Sequence, residues 1–94
     1  MAKYVKKPYV IEAVRFDGRS FEEKPAWLGT ALANGTVRCI RDITGETFAF
    51  EVETLEGNMR GNRGAYLVKG VDGELYPCKG EIFEKTYDCV EDKR

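Results

Sequence analysis

Turn-forming residues divide the chain into short segments, and this spacing limits what it can fold into. Apolar runs alternate with glycine-containing turns at residues 17–18, 34–35, 42–45, 57–58 and 72–73. Turns of this kind reverse the chain, so neighbouring runs can pair as antiparallel strands. The sequence predicts an α+β fold with a small, strongly bent antiparallel sheet, one main helix and a short C-terminal helical turn. A length of 94 residues indicates one domain over residues 1–94.

The strand assignments rest on runs of β-branched and aromatic residues. They cover residues 9–16, 36–41, 46–54, 65–70, 74–77 and 86–90. Residues 42–45 are a hairpin turn, residues 72–73 are typical of a type I′ turn, residues 55–58 are predicted to be a turn and residues 59–65 are predicted to be a loop. Residues 80–85 are predicted to be a helical turn.

The main helix is predicted from a capping-box pattern, Ser20-Phe21-Glu22-Glu23. The helix continues through Trp27 and ends near residues 34–35. Pro25 lacks an N–H, so the helix is either kinked there or starts anew. Its core-facing stripe is the set with helical spacing, Trp27, Leu28, Ala31 and Leu32.

Composition removes most kinds of catalytic and metal chemistry. The chain has no histidine, which excludes Ser-His and Cys-His nucleophile pairs and most zinc sites. Cys39, Cys78 and Cys89 lack C-x-x-C spacing, which favours a reduced cytosolic setting, and we expect neither a metal nor a cofactor. A net charge of −1 argues against extended nucleic acid as a partner. No secretory signal or membrane-spanning run is expected.

The chain resembles a family of small bacteriophage and prophage proteins, most of which lack an assigned activity. The similarity rests on KKPYVIEAVRFDG, FEE, TLEGNM and VKGVDGELYPCKGEIFEKTY, which together cover nearly the whole length. The resemblance implies a phage-encoded protein in the cytoplasm of the infected bacterial host, with the α+β fold predicted above. Many relatives have Pro-Gly-Asp where this chain has Arg63, Gly64 and Ala65, so a site here would be more cationic.

The candidate binding segment extends from Gly57 to Val71, because it contains arginine, lysine and glycine but no acid. Glycines let backbone amides turn outward to cradle phosphate oxygens, and arginine binds such oxygens bidentately. Asparagine and tyrosine add groups suited to a ribose or a base. The predicted ligand-binding residues are Arg60, Asn62, Arg63, Gly64, Tyr66, Lys69, Tyr76 and Lys79. The alternative is a mobile surface loop between strands.

Several other residues have both a chemical and a structural interpretation. Lys79 beside Cys78 would lower the pKa of a thiol and favour a reactive thiolate. Pro77 before Cys78 instead favours a structural cysteine at a strand end. Glu51 and Glu53 resemble a pair of catalytic acids, yet a solvated sheet face explains them better. Glu12 is expected at a strand edge, reaching solvent.

The function predicted from these observations is non-enzymatic sequestration of a small phosphorylated ligand. The expected ligand is a nucleotide signal of host antiviral defence, such as an ADP-ribose derivative or a cyclic nucleotide. One alternative is a protein that binds and inhibits or redirects a host protein. A third is a nucleotide-degrading enzyme with Glu12, Glu51 or Glu53 as base. The short sheet leaves edges to cover, so a homodimer or higher homo-oligomer is expected.

Overall fold

The computed structural model describes residues 1–90, which form six short strands and two helices. The elements in chain order are β1 (Glu12–Arg15), α1 (Ala26–Ala33), β2 (Val37–Arg41), β3 (Thr47–Thr54), β4 (Gly57–Gly61), β5 (Tyr66–Lys69), β6 (Leu75–Cys78) and α2 (Gly80–Thr86). The α+β prediction is confirmed, with α1 as the main helix and α2 as the short C-terminal one.

The strands form two three-stranded antiparallel sheets. One sheet has the order β1-β5-β6 and the other has the order β2-β3-β4. The β2–β3 hairpin closes at Asp42, whose side-chain Oδ1 accepts hydrogen bonds from the backbone N–H groups of Thr44 and Glu46. This hairpin and the β5–β6 hairpin were both predicted, because strong apolar runs flank each turn.

Three phenylalanines join the two sheets at the centre of the core. Phe16 follows β1, Phe21 follows the next turn, and Phe50 lies in β3. Their ring centroids are 5.0–5.3 Å apart in tilted and edge-to-face geometries. All three are buried, together with the remaining core residues Val14, Leu28, Ala31, Val37, Val52, Ala65 and Leu67. Aromatic contacts of this kind add about 0.5–1.5 kcal/mol per pair beyond the area they bury.

The turn predicted at residues 55–58 and the loop predicted at residues 59–65 are both shorter than expected, because Gly57–Gly61 is strand β4. Gly57–Gly61 pairs along β3, with Gly61 opposite Phe50. A Cβ atom built on Gly61 would lie 2.1 Å from the Phe50 ring, so the strand approaches this closely only through glycine. The ladder is made by backbone groups, so it forms without any apolar alternation in β4.

The capping-box prediction is wrong, since α1 begins after Pro25. The Ser20 N–H donates to Asp17 Oδ1 instead, and Phe21 leaves the turn to pair with Phe16 in an isolated bridge. Pro25 occupies the N-cap position of α1 with an extended backbone. The alternative in which the helix starts anew at the proline is therefore confirmed. Leu28 and Ala31 are buried as expected, whereas Leu32 is exposed.

Three further predictions need correction. β1 begins at Glu12, not at residue 9, and residues 87–90 form no strand. The turn after β5 is not type I′, which needs positive φ at two positions. Here only Gly73 has positive φ (84°), and its N–H donates to the Gly70 carbonyl. This arrangement is a turn followed by a left-handed glycine.

Replacing Gly61 with alanine tests the contact between β4 and the aromatic core. Because the new methyl group would overlap the Phe50 ring, we expect the free energy of unfolding to fall by about 1–3 kcal/mol. The matched control is Gly29→Ala in α1, where a new Cβ meets nothing within 4 Å. That change should stabilise the helix by about 1 kcal/mol. Urea unfolding of both variants gives the comparison, and equal stabilities would contradict the packing described here.

Candidate functional site

A groove of about 650 Å³ lies between the β4–β5 loop and the start of α2. We call it the basic groove, because four cations line it. They are Arg15 from β1, Arg60 from β4, Arg63 from the loop and Lys79 before α2. Two acids of α2, Glu81 and Glu84, also line the groove. Arg15 is not among the ligand-binding residues predicted from the sequence, because only the pairing of β1 with β5 brings it to this groove.

The loop wall of the groove is held by backbone hydrogen bonds. The Ala65 N–H donates to the Asn62 carbonyl (2.9 Å) and the Gly64 N–H donates to the Phe16 carbonyl (2.8 Å). Gly64 has a φ of 87°, a left-handed conformation that favours glycine. These amides therefore serve the fold, and a ligand in this groove would be held mainly by side chains.

The two walls meet at a close contact between backbones. A Cβ atom on Gly80 would lie 2.3 Å from the Gly64 carbonyl oxygen. Glycine at the first position of α2 thus lets the helix approach the loop. As a result Lys79, just before α2, and Arg63, in the loop, line the same groove.

The cations of the basic groove differ in how they are engaged. Arg15 forms an ion pair with Glu22, and this hydrogen bond raises the pKa of the Arg15 guanidinium. Arg60 donates from Nε to Asn62 Oδ1 (3.0 Å), and its guanidinium lies 5.2 Å from the Phe48 ring centroid. Within residues 1–90 no ion pair involves Arg63.

Arg63 and Lys79 are the two cations best placed to meet a ligand. The stem of Arg63 packs beside Gly18, where a Cβ atom would come within 3.0 Å of Arg63 Cγ. This contact orients the side chain without occupying its guanidinium. Lys79 is exposed and, in the part of the chain that the structure describes, is likewise in no ion pair.

The structure separates the eight predicted ligand-binding residues. Five of them line the basic groove: Arg60, Asn62, Arg63, Gly64 and Lys79. Lys69 and Tyr76 line a second groove, which shares only Met59 with the basic groove. Tyr66 stacks on Phe83 with ring centroids 4.1 Å apart, and its hydroxyl donates to Glu84 (3.2 Å). One face of the Tyr66 ring is therefore already covered.

Tyr66, Tyr76 and Tyr87 have shifted pKa values, which no local sequence pattern predicts. Burial, with a hydrogen bond to Tyr87, raises the pKa of Tyr76 to about 12. A hydrogen bond from Lys6 Nζ (2.9 Å) lowers the pKa of Tyr87. Burial also raises the pKa of Tyr66, with Glu84 as the second cause. The hydrogen bond between Lys6 and Tyr87 joins a residue near the start of the chain to the residue that follows α2.

The carboxylates considered as bases do not converge on one site. Glu12 Oε1 accepts a hydrogen bond from Trp27 Nε1 (3.0 Å), and the residue is exposed, as predicted. Glu51 is paired with Arg38 at 2.7 Å. Glu53 is exposed and lines the second groove. Among residues 1–90 there is no cluster of acids and cysteines able to hold a metal ion.

Comparisons with protein-family models, curated proteins and solved structures give no match. The resemblance to small phage proteins therefore stays a prediction from the sequence motifs. In residues 1–90, none of the helices has the length and apolar character needed to span a membrane.

Thiol labelling tests the structural role of Cys78, which is half-buried at the end of β6 and lines the basic groove. Cys89 is exposed. Reaction requires access to the sulfur, so in folded protein we expect a thiol reagent to modify Cys89 first and Cys78 more slowly. Mass spectrometry of digested samples measures both rates, with urea-unfolded protein as the control that equalises them. Faster labelling of Cys78 would identify it as a reactive thiol.

Proposed function

We propose that the protein binds a small phosphorylated ligand in the basic groove and sequesters it without chemical change. The observation that carries the proposal is the pair Arg63 and Lys79, which line one groove from two different walls and have no ion-pair partner within residues 1–90. A cation left without a partner at a groove is suited to an incoming anion.

A diphosphate suits this pair of cations better than a single charge does. The planar guanidinium of Arg63 can bind two phosphate oxygens at once, and the ammonium of Lys79 can neutralise the second phosphate as a point charge. Asn62 is on the same wall, where Arg60 already orients its amide. Together these contacts are enough for micromolar affinity, which corresponds to about 8 kcal/mol.

The two acids of α2 that line the basic groove favour a nucleotide over a simple polyanion as the ligand. Glu81 and Glu84 can accept hydrogen bonds from ribose hydroxyls or from an amino group of a base. The same carboxylates repel a continuous phosphate backbone, which argues against extended nucleic acid. The ligand class proposed is therefore a nucleotide with one or two phosphates, such as an ADP-ribose derivative or a cyclic nucleotide.

We prefer sequestration to hydrolysis because, within residues 1–90, none of the three carboxylates predicted as bases, Glu12, Glu51 and Glu53, lines the basic groove. Hydrolysis needs a carboxylate positioned to activate water beside the bound phosphate. Glu84 accepts from Tyr66, Glu51 is paired with Arg38, and Glu12 contacts Trp27. In an infected bacterium, as the phage resemblance implies, such a binder would lower the concentration of a nucleotide signal of antiviral defence.

Replacing Arg63 with alanine tests the proposal directly. Calorimetry against ADP-ribose and cyclic dinucleotides should show micromolar binding by the wild-type chain. Arg63→Ala should weaken it more than tenfold, which corresponds to about 1.4 kcal/mol, because the bidentate contact is lost. Lys79→Ala should weaken it as well. The matched control is Arg41→Ala, an exposed arginine of β2 outside the groove lining, which should bind as wild type does.

The state of the ligand after binding separates the alternatives. Nucleotide recovered intact after heating the complex supports sequestration, whereas recovered fragments point to the enzyme. If no nucleotide in the panel binds, or if Arg41→Ala weakens binding as much as Arg63→Ala, the proposal fails. Inhibition of a host protein would then be the better hypothesis.

A further inference from the structure

A second groove, of about 720 Å³, lies between α1, the β3–β4 turn and the β5–β6 turn. We call it the acidic groove. Its apolar lining includes Trp27, Leu55, Met59 and Leu75. Three acids, Glu53, Glu56 and Glu74, line it against one lysine, Lys69. Leu55 is fully exposed at the tip of the β3–β4 turn, so the apolar surface of this groove is left uncovered in a single chain.

Residues 1–11, which we call the arm, have the opposite character. The arm contains Lys3, Lys6 and Lys7 and no acidic residue. It belongs to no helix or strand, and residues 1–10 are all exposed. Tyr4 and Val5 are 93% and 91% exposed. A single chain thus displays a basic, apolar, extended segment as well as an acidic, apolar groove.

We propose that the protein is a homodimer in which the arm of each copy lies in the acidic groove of the other. Charge complementarity supports this occupant, because the lysines of the arm would meet Glu53, Glu56 and Glu74. The apolar side chains between those lysines would cover Leu55 and Trp27. An extended segment in a groove is a recurring mode of peptide recognition, with affinity from burial and register from charges.

The arm leaves the fold close to the acidic groove of its own chain. Glu12, the first residue of β1, accepts a hydrogen bond from Trp27, which lines the acidic groove. Eleven extended residues span at most about 36–40 Å. Two copies related by a twofold axis near Trp27 could therefore exchange arms without any change in the core.

The chain's own groove is a poorer destination for the arm. The arm would give up one contact to enter either copy's groove, since Lys6 Nζ donates to Tyr87 and lies 5.0 Å from that ring, beside α2. In that position Tyr4 and Val5 remain exposed. Exchange between copies buries the arm and the acidic groove of both copies, since a twofold interface contains each contact twice. The doubling brings the buried area closer to the roughly 800 Å² per partner of a stable complex.

The acidic and basic grooves share only Met59 in their linings and neither needs the other occupied, so the dimer does not depend on the proposed function. Sedimentation velocity of the full chain at tens of micromolar should give the mass of a dimer. The variant Lys3→Glu with Lys7→Glu should shift the equilibrium toward monomer, with a dissociation constant at least tenfold higher. Lys24→Glu, an exposed lysine outside the arm and the groove lining, is the matched control and should stay dimeric.

A charge exchange tests the contact itself. Glu53→Lys with Glu56→Lys should also give monomer, and combining these changes with the two arm substitutions should restore the dimer. A monomeric wild-type mass would overturn the inference. That outcome includes a monomer whose arm lies in its own acidic groove and a monomer whose arm binds a foreign protein. A dimer that is unaffected by both charge changes would also overturn it, because the interface would then lie elsewhere.

Discussion

The contact among Phe16, Phe21 and Phe50 is the interaction on which the rest of this structure depends. These rings are where the two three-stranded sheets share a core. Their contact fixes more than the core. It requires glycine at Gly61, because the Phe50 ring occupies the space of a side chain there. It also sets the position of the Phe16 backbone.

The Phe16 backbone connects the aromatic core to the surface loop of the basic groove. Its carbonyl accepts from Gly64 and its N–H donates to the Ala65 carbonyl (both 2.8 Å), so the loop of the basic groove is attached to the aromatic core. Arg63 lies in that loop between attached residues. A cation placed in this way is oriented before a ligand arrives, which reduces the entropy lost on binding.

The molecule has a small net charge, but positive and negative charges are separated between its two grooves. The chain carries a net charge of −1, yet the basic groove has four cations against two acids and the acidic groove has three acids against one lysine. Under the two proposals above, this separation of charge gives each groove a different kind of partner. The arm, which is basic and apolar, suits only the acidic groove. A phosphorylated ligand suits only the basic one.

The sequence by itself determined the α+β class, the β2–β3 and β5–β6 hairpins, and the cationic segment that supplies Arg60, Asn62 and Arg63. These features follow from local patterns, namely apolar runs, turn residues and the absence of acids. Only the tertiary structure decided that Gly57–Gly61 is a strand, because an edge strand is held by backbone pairing and needs no apolar pattern. It also decided that Ser20 caps no helix, since burial of Phe21 outweighs a local capping bond. Finally, strand pairing brought Arg15 into the basic groove and placed Lys69 and Tyr76 in the acidic one, because which groove a side chain lines depends on register and on how the two sheets pack.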